Sequence, residues 1–295
     1  RLRELEIFAA VVAEGSFSAA ARVSGLTPSA VSKAVARLER RLGARLVART
    51  TRGLTLTAEG RDFHLRAHAI LCALDEAERE AASGGRPVGE VQITTSASYA
   101  HHVLYPSLPA LMAEHPRLRI TVSETDAVVA LVEAEADIAV RAGEMPASAL
   151  VTRSLGRSPR IMVAAPGYLA ARGTPHCVDD LAAHDLLDFS YRRGEPTWPA
   201  RAADGASVAA RTRAKASDGE AVRHMALAGL GIARIPAFVA REDLATGRLV
   251  RLMPAFDPGD AVSFHALWLK SGGPLPARVR LVLDHLAASG AVDRR

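Results

Sequence analysis

The chain has 295 residues, 49% of them hydrophobic and 23% charged, with 16 Pro, 22 Gly and a formal net charge of +5. At roughly 100–200 residues per domain, that length fits two domains, or three, with ordinary apolar cores. These figures exclude intrinsic disorder, a collagen-like repeat and a disulfide-stapled scaffold.

The chain starts at Arg1 rather than Met, so native residues are expected to precede it, and Glu4 and Glu6 argue against a signal peptide. Leu2, Leu5, Phe8, Ala9 and Val12 recur at helical spacing and define a first helix that ends near Gly15. Ser18 is the expected N-cap of a short second helix, Ala19 to Ser24, which Gly25-Leu26 breaks. Thr27-Pro28 then restarts the chain, with Thr at the N-cap and Pro at the first helical position, where its missing N–H costs nothing. The third helix runs to about Leu42 and is expected to bury Val31, Val35, Leu38 and Leu42. A helix, a short Gly-containing turn and a second helix make the helix-turn-helix layout.

With that stripe buried, the opposite face of the third helix shows Ser29, Ser32, Lys33, Ala36, Arg37 and Arg40. Short hydroxyls beside a Lys suit base edges in a major groove, and the later arginines suit phosphate. Taken alone, such a face is more often merely solvated. The charge distribution tips the balance: residues 1–60 hold ten Lys/Arg against five carboxylates, whereas the other 235 residues hold 27 of each. The entire excess sits in the first fifth of the chain, the footprint of a nucleic-acid-binding module joined to a neutral one.

Leu46 to Arg49 and Leu54 to Thr57 read as two short strands around the basic turn Thr50-Thr51-Arg52-Gly53, a wing that aims Arg49 and Arg52 at the DNA backbone or minor groove. Phe17-Ser18-Ala19-Ala20-Ala21-Arg22, Pro28-Ser29-Ala30-Val31-Ser32, Leu38-Glu39 with Leu42-Gly43, Arg49-Thr50-Thr51-Arg52 and Leu56-Thr57-Ala58-Glu59-Gly60 follow one another in order. Together these stretches resemble the winged helix-turn-helix of LysR-type transcriptional regulators, a specific match over some 60 residues.

From Thr57, an expected N-cap, helical character continues to Ser83 and is closed by Gly84-Gly85 and Pro87. Phe63, Ala67, Ile70, Leu74, Ala77 and Ala81 alternate by four and three, as a coiled-coil seam does. A solitary helix of this length needs a partner for that stripe. Docking on the chain's own domain and pairing of two subunits both satisfy it, and dimerisation through Phe63, Ile70, Leu74 and Ala77 is the favoured reading. The resemblance agrees, since the family's linker helices pair two subunits.

Beyond Pro87 strands and helices alternate: strands Val88–Thr95 and Leu118–Thr125 flank a helix through Leu104–Glu114, and further strands are expected at Asp137–Arg141 and Leu150–Leu155. A second set comprises strands Arg160–Ala165, Asp185–Phe189 and Ile232–Ile235 with a helix Glu220–Ala228, and strand Ser263–Leu269 with helix Ala277–Ala287 returns to the first half. Such alternation implies open α/β sheets with ligand sites at strand carboxyl ends, and two crossings would leave a cleft between two lobes. Asp137-Ile138-Ala139-Val140-Arg141, Pro166-Gly167-Tyr168-Leu169, Asp180-Leu181, Asp218-Gly219-Glu220-Ala221, Leu227 to Ile232, Ile235-Pro236 and Gly247-Arg248-Leu249-Val250 resemble the effector domain of the same family. That resemblance implies the periplasmic-binding-protein type 2 fold. The organisation expected is therefore a winged helix-turn-helix over 1–60, a linker helix over 57–86 and an effector domain over 88–295. Its first lobe takes 88–159 and 264–295, and its second takes 160–263.

The signatures of an enzyme are missing from the sequence. Gly229-Leu230-Gly231-Ile232 follows a helix and lacks the third glycine of a dinucleotide loop, and no phosphate-binding G-x-x-x-x-G-K-[ST] or G-x-S-x-G elbow occurs. His64 and His68, at i and i+4, are read as solvated helix histidines, and His176-Cys177 as a loop pair without catalytic meaning. Cys72 and Cys177 form no C-x-x-C pair, which fits a reducing compartment. His101 and His102 follow a strand end, where ligands gather, so ligand contact there stays open. No cofactor is expected, and no stretch approaches a membrane span.

The reading is a cytoplasmic, nucleoid-associated bacterial regulator that binds a double-stranded DNA operator as a homodimer or homotetramer, with RNA polymerase as a further partner. Its expected DNA contacts are Ser18, Thr27, Pro28, Ser29, Ser32, Lys33, Arg37, Arg49 and Arg52. Its expected effector is a small carboxylate held by Thr95, Ser96, Ser98, Asp126 and Arg141 from one lobe and Ser190, Tyr191 and Asp218 from the other. Rival readings are a cytoplasmic small-molecule-binding protein and an enzyme with an unrecognised site.

Overall fold

Phe8 and Leu38, both fully buried, pin the first three helices to one another. The structure, a computed structural model, describes residues 1–50, 53–83, 87–126, 136–143, 150–190, 198, 212–254, 260–269 and 275–292. The chain divides into two units, Arg1–Arg86 with Ser271–Ala277, and Pro87–Lys270 with Arg278–Arg295.

In the first unit, α1 (Leu2–Ala13) buries Ile7, Phe8 and Val11, and α2 (Phe17–Val23) buries Ala20 and Ala21. Ser16, not Ser18, caps α2: its backbone is extended and its side chain accepts from Ala19 N at 3.0 Å. Ser18 lies two residues too far along, inside the helix and exposed. Thr27 and Pro28 open α3 (Pro28–Leu42) as expected, with Thr27 Oγ1 accepting from Ala30 N at 3.2 Å. The buried stripe is Val31, Ala34, Val35 and Leu38, and Leu42 is 41% exposed. The core's contact with α3 ends at Leu38, because the chain folds back and Leu46 and Val47 fill the space instead.

The wing is an antiparallel pair, β1 (Val47–Thr50) and β2 (Gly53–Leu56), registered Val47↔Leu56 to Thr50↔Gly53. Its base is clamped from both sides. Glu39 Oε1 on α3 accepts from Leu46 N (2.8 Å) and Val47 N (3.2 Å), while Thr57 N donates to Leu46 O (3.0 Å). Thr57 Oγ1 also accepts from Gly60 N at 2.9 Å, capping α4 (Ala58–Ser83). Phe63 of α4 packs on Phe8, ring centroids 5.6 Å apart, and Ala67 is buried, whereas Ile70 is 54% exposed. The apolar stripe of α4 thus serves its own head first and leaves Ile70, Leu74 and Ala77 beyond that packing.

The second unit starts with β3 (Gly89–Thr95), then α5 (Ala97–Tyr99), a π-helical turn (Ala100–Leu104) and α6 (Tyr105–Glu114). Strands β4 (Leu118–Glu124) and β5 (Ile138–Ala142) run parallel to β3 on either side of it. Next come β6 (Leu150–Ala164), α7 (Pro166–Arg172), β7 (Leu186–Phe189), β8 (Thr212–Ala216) and α8 (Gly219–Leu227). The chain finishes with β9 (Ile232–Pro236), α9 (Ala237–Ala245), β10 (Val250–Leu252), β11 (Ala261–Leu269) and α10 (Ala277–Ser289). Strand order is β4-β3-β5-β11-β6-β9-β7-β8, with β10 also on β6.

Two strands expected at 150–155 and 160–165 are one 15-residue strand. The intervening Gly156-Arg157-Ser158-Pro159 has the composition of a turn, yet β11 pairs with Leu150–Ser154 and, after an irregularity at Leu155-Gly156, with Arg157–Pro159, and β9 with β10 pairs along Arg160–Ala164, so the turn-like stretch stays in the sheet. Pairing across the sheet outweighs the local preference. Sequence reasoning also left α5, α7, β8, α9 and β10 unassigned.

Gly60 sits so close to the wing that a Cβ there would lie within the van der Waals shell of the Leu46 carbonyl oxygen. Gly60→Ala would gain up to about 1 kcal/mol in helix propensity. The clash is against backbone and outweighs that gain, so we expect a net loss on the order of 2 kcal/mol in the melting of the head, measured by differential scanning calorimetry.

Candidate nucleic-acid interface and effector cleft

On α3, Ser29, Lys33, Ala36, Arg37 and Arg40 are exposed and Ser32 is half-buried, the face that the apolar stripe dictates. Glu4 of α1 lies under the basic edge, 3.7 Å from Arg37 Nε and paired with Arg41. The hydrogen bond from Arg41 holds the Glu4 carboxyl below its ordinary range. Arg37 remains 60% exposed, so its contact with Glu4 orients it without sequestering it. Thr27 Oγ1 is engaged in the cap of α3. Arg49 has its backbone in β1, while its side chain and the whole of Arg52 lie outside the described residues.

In the second unit, β4, β3 and β5 end at one edge and deliver Asp126, Thr95 and Arg141 there. Ser96 caps α5, accepting from Tyr99 N at 3.3 Å. The Arg141 guanidinium donates to Thr94 Oγ1 and to Val140 O, each at 3.0 Å. Burial pulls its pKa down and the charge of Asp126 opposes that pull. Thr95 Oγ1 is buried with no hydrogen-bond partner among the described residues.

The opposite lobe meets this edge through the start of α8. Asp218 caps that helix, with Oδ1 accepting from Ala221 N at 2.7 Å, so the carboxylate is already employed. Ser98 is buried against Gly219: a Cβ there would fall 2.6 Å from Ser98 Oγ, and only glycine permits the approach. Ser190 is exposed after β7, its N donating to Ala216 O at 2.8 Å, and Tyr191 lies outside the described residues. Thr95, Ser96, Ser98 and Arg141 therefore share one strand-end edge, and of the expected far-lobe set Asp218 is the member that adjoins them.

Sequence reasoning missed a buried ionic chain beside Ser98. His102 Nε2 on the π-helical turn is 2.9 Å from Glu220 Oε2 on α8. Glu220 Oε1 accepts from Arg223 at 2.5 Å, and Arg223 in turn holds both oxygens of fully buried Asp243 on α9, at 2.6 and 3.0 Å. Burial pushes the Glu220 carboxyl up, but the hydrogen bond from His102 and the charges of His102 and Arg223 outweigh it and bring it from 4.5 down to about 2. His102 and Glu220 stand 118 residues apart, and no local pattern links them. His101, the other candidate of that pair, sits outside this chain with Glu124 at 3.2 Å. Among the described residues no group of three His, Cys, Asp or Glu could hold a metal ion, and no helix is long and apolar enough to cross a membrane.

Because the Glu220 pKa is depressed on folding, its stabilisation is complete above pH about 4.5 and is lost as pH falls toward about 2. We expect urea unfolding to lose roughly 2–3 kcal/mol over that window from this group, and Glu220→Gln to flatten that part of the profile.

Residues 2–61 match the family described as bacterial regulatory helix-turn-helix protein, lysR family, and residues 84–291 match the LysR substrate binding domain. The chain is 35% identical over 284 residues to the HTH-type transcriptional regulator CrgA of Neisseria meningitidis serogroup C, covering 96% of this chain and 95% of that protein. It is 31% identical over 290 residues to the HTH-type transcriptional regulator DmlR of Escherichia coli K12, covering 97% and 93%. The solved structure of CrgA from Neisseria meningitidis superposes with a TM-score of 0.65 at 34% identity, over 98% of both chains. That of ArgP from Mycobacterium tuberculosis shares the fold with a TM-score of 0.76 at 23% identity, over 98% of this chain and 96% of that one. CrgA and DmlR are transcriptional regulators rather than enzymes, and with both halves of its length matched in order, the chain belongs to the LysR-type family of transcriptional regulators.

Proposed function

We propose that this regulator reads double-stranded DNA with α3 and answers to a small anionic effector in the cleft of its second unit. The division that goes with this reading is a DNA-binding head over 1–60, a linker over 57–86 and an effector domain over 88–295. The observation that carries the DNA half is the exposed row Ser29, Lys33 and Arg37 on α3, flanked by a wing clamped at Leu46. Ser29, Ser32 and Lys33 face base edges, and Arg37, Arg49 and Arg52 face phosphate. Lys33→Ala is expected to cost about 1–3 kcal/mol on the cognate operator and to leave affinity for random DNA nearly unchanged, measured by fluorescence anisotropy. Equal losses on both DNAs would refute base reading by Lys33.

Two copies pair through Ile70, Leu74 and Ala77 of α4, which lie beyond the stretch occupied by the helix's own head. Pairing supplies two heads for two half-sites one helical turn apart or a multiple of it. The protein works in the cytoplasm on the nucleoid, and RNA polymerase is its further partner.

For the effector, the supporting observation is the meeting of Ser96, Ser98, the buried Thr95 hydroxyl and the Arg141 guanidinium at one strand-end edge. The two terminal nitrogens of Arg141 each donate once within the protein, to Val140 O and Thr94 Oγ1, which orients the guanidinium, and each keeps a second N–H that suits a carboxylate. Asp218 serves this site by capping α8 and so presenting Gly219 to Ser98. Benzoate and succinate are the first aromatic and aliphatic carboxylates to test by calorimetry. Arg141→Ala is expected to weaken whichever binds by at least tenfold, and unchanged affinity would make Arg141 purely structural.

A further inference from the structure

We infer that Glu4 is a built-in competitor for DNA phosphate: by occupying Arg41 and flanking Arg37, it holds down the head's affinity for DNA of any sequence. The inference rests on α3 facing DNA, and an Arg37 variant in the test separates failure of that reading from failure of this one.

The geometry is one fixed carboxylate beneath two basic side chains. Glu4 stands in the first turn of α1, and Arg37 and Arg41 stand at i and i+4 on α3, so both can reach it. The Glu4 side chain is 18% exposed, against 60% for Arg37 and 35% for Arg41. The carboxylate is thus set between the helices, and the arginines lie on its solvent side.

The two arginines are engaged unequally. Arg41 donates a charge-assisted hydrogen bond to Glu4 Oε2. Arg37 Nε stays 3.7 Å from Oε1, too far for a hydrogen bond, and keeps its donors for another anion. A phosphate approaching Arg37 therefore meets a charge that Glu4 partly offsets. One approaching Arg41 has to displace a carboxylate already in place. The hydrogen bond from Arg41 also holds the Glu4 carboxyl below its ordinary range, so the competitor stays ionised wherever the protein meets DNA.

Phosphate contacts position a protein on a duplex but carry no sequence information. Withholding Arg41 from phosphate lowers the part of the affinity that every sequence shares. A larger share of binding is then left to the base contacts proposed for Ser29 and Lys33, which Glu4 does not touch. Glu6 supplies an internal comparison. It is exposed, belongs to the same helix, and at two residues' distance points to a different side of it.

Fluorescence anisotropy of the full-length protein on a duplex of scrambled sequence, between about 50 and 200 mM salt, tests this. Each further phosphate neutralised steepens the fall of log affinity with log salt by about 0.9. Glu4→Gln frees Arg41 for such a contact, so its slope is expected to exceed the wild-type slope by about 0.9 for each head engaged. Its advantage in affinity then grows about threefold from the high-salt end to the low-salt end. Adding Arg41→Gln to Glu4→Gln is expected to restore the wild-type slope, since Arg41 is spent on Glu4 in the wild type. Glu6→Gln removes the same formal charge and is expected to leave the slope unchanged. Arg37→Ala alone is expected to make the slope shallower by about 0.9 for each head. No change with Arg37→Ala takes α3 off the DNA and this inference with it. If Arg37→Ala behaves as expected, a Glu4→Gln slope equal to the wild type overturns the inference alone, whether or not the variant melts lower, because a merely structural ion pair behaves so. A Glu6→Gln slope raised as much as that of Glu4→Gln overturns it too, since net charge would then be the whole effect.

Discussion

Everything in the effector unit hangs on one strand. Strand β6 is long enough to lie in both lobes: its first ten residues pair with β11, and its last five pair with β9 and β10. Strand β11 bonds on its other side to β5, so the parallel set β4-β3-β5 is joined to the set β9-β7-β8 through two adjacent antiparallel strands. A cleft between lobes connected in this way can change its opening by bending those strands, without breaking either sheet. The edge at which the two lobes meet is then defined by where the parallel strands end. For β3, β5, β7 and β8 those carboxyl ends deliver Thr95, Arg141, Ser190 and Asp218. Strand carboxyl ends of open α/β sheets are where such folds receive ligands.

Three buried charges form a chain beside that cleft, while Arg234 and Arg278 are buried elsewhere in the unit. Glu220, Arg223 and Asp243 are each less than a tenth exposed, and each finds opposite charge within hydrogen-bond distance. Removing one member would strand its neighbour, which is far costlier than never having buried the set. Such a chain therefore fixes geometry more than it adds stability. It sets the start of α8, and with it Gly219, against Ser98. The DNA-binding head uses the same strategy in miniature. Glu39 spends one carboxylate oxygen on two wing amides, and Gly60 gives up its side chain so that α4 can press against the Leu46 carbonyl. The angle between α3 and the wing is thereby settled by contacts to the backbone of Leu46 and Val47.

What the sequence by itself determined is whatever rests on neighbours a few residues apart. The three helices of the head, the Thr27-Pro28 start of α3, the existence of the two wing strands and the cap at Thr57 all follow from helical period, capping oxygens and alternation, each a pattern local to a few residues. The basic excess in residues 1–60 is likewise a property of composition, and it needed no fold to be read. Within that range a local ambiguity still misled. Ser16 and Ser18 are equally plausible caps by residue type, and the choice falls to the one whose backbone is extended, which packing of Phe17 and Ala20 against the core decides.

Tertiary structure alone decided the rest, because those features are contacts between residues with no periodic relation. Gly156 to Pro159 has the local chemistry of a turn, and only β11, whose pairing resumes at Arg157 after a shift of register, keeps it in the sheet. Phe63 has the spacing of a dimer seam, and only the nearness of Phe8 draws it into its own head. Glu220 has the look of an ordinary acidic residue in a first helical turn, where it would favour the helix dipole. Its meeting with His102 across 118 residues comes from two sheets sharing β6 and β11, a constraint that no window of sequence contains.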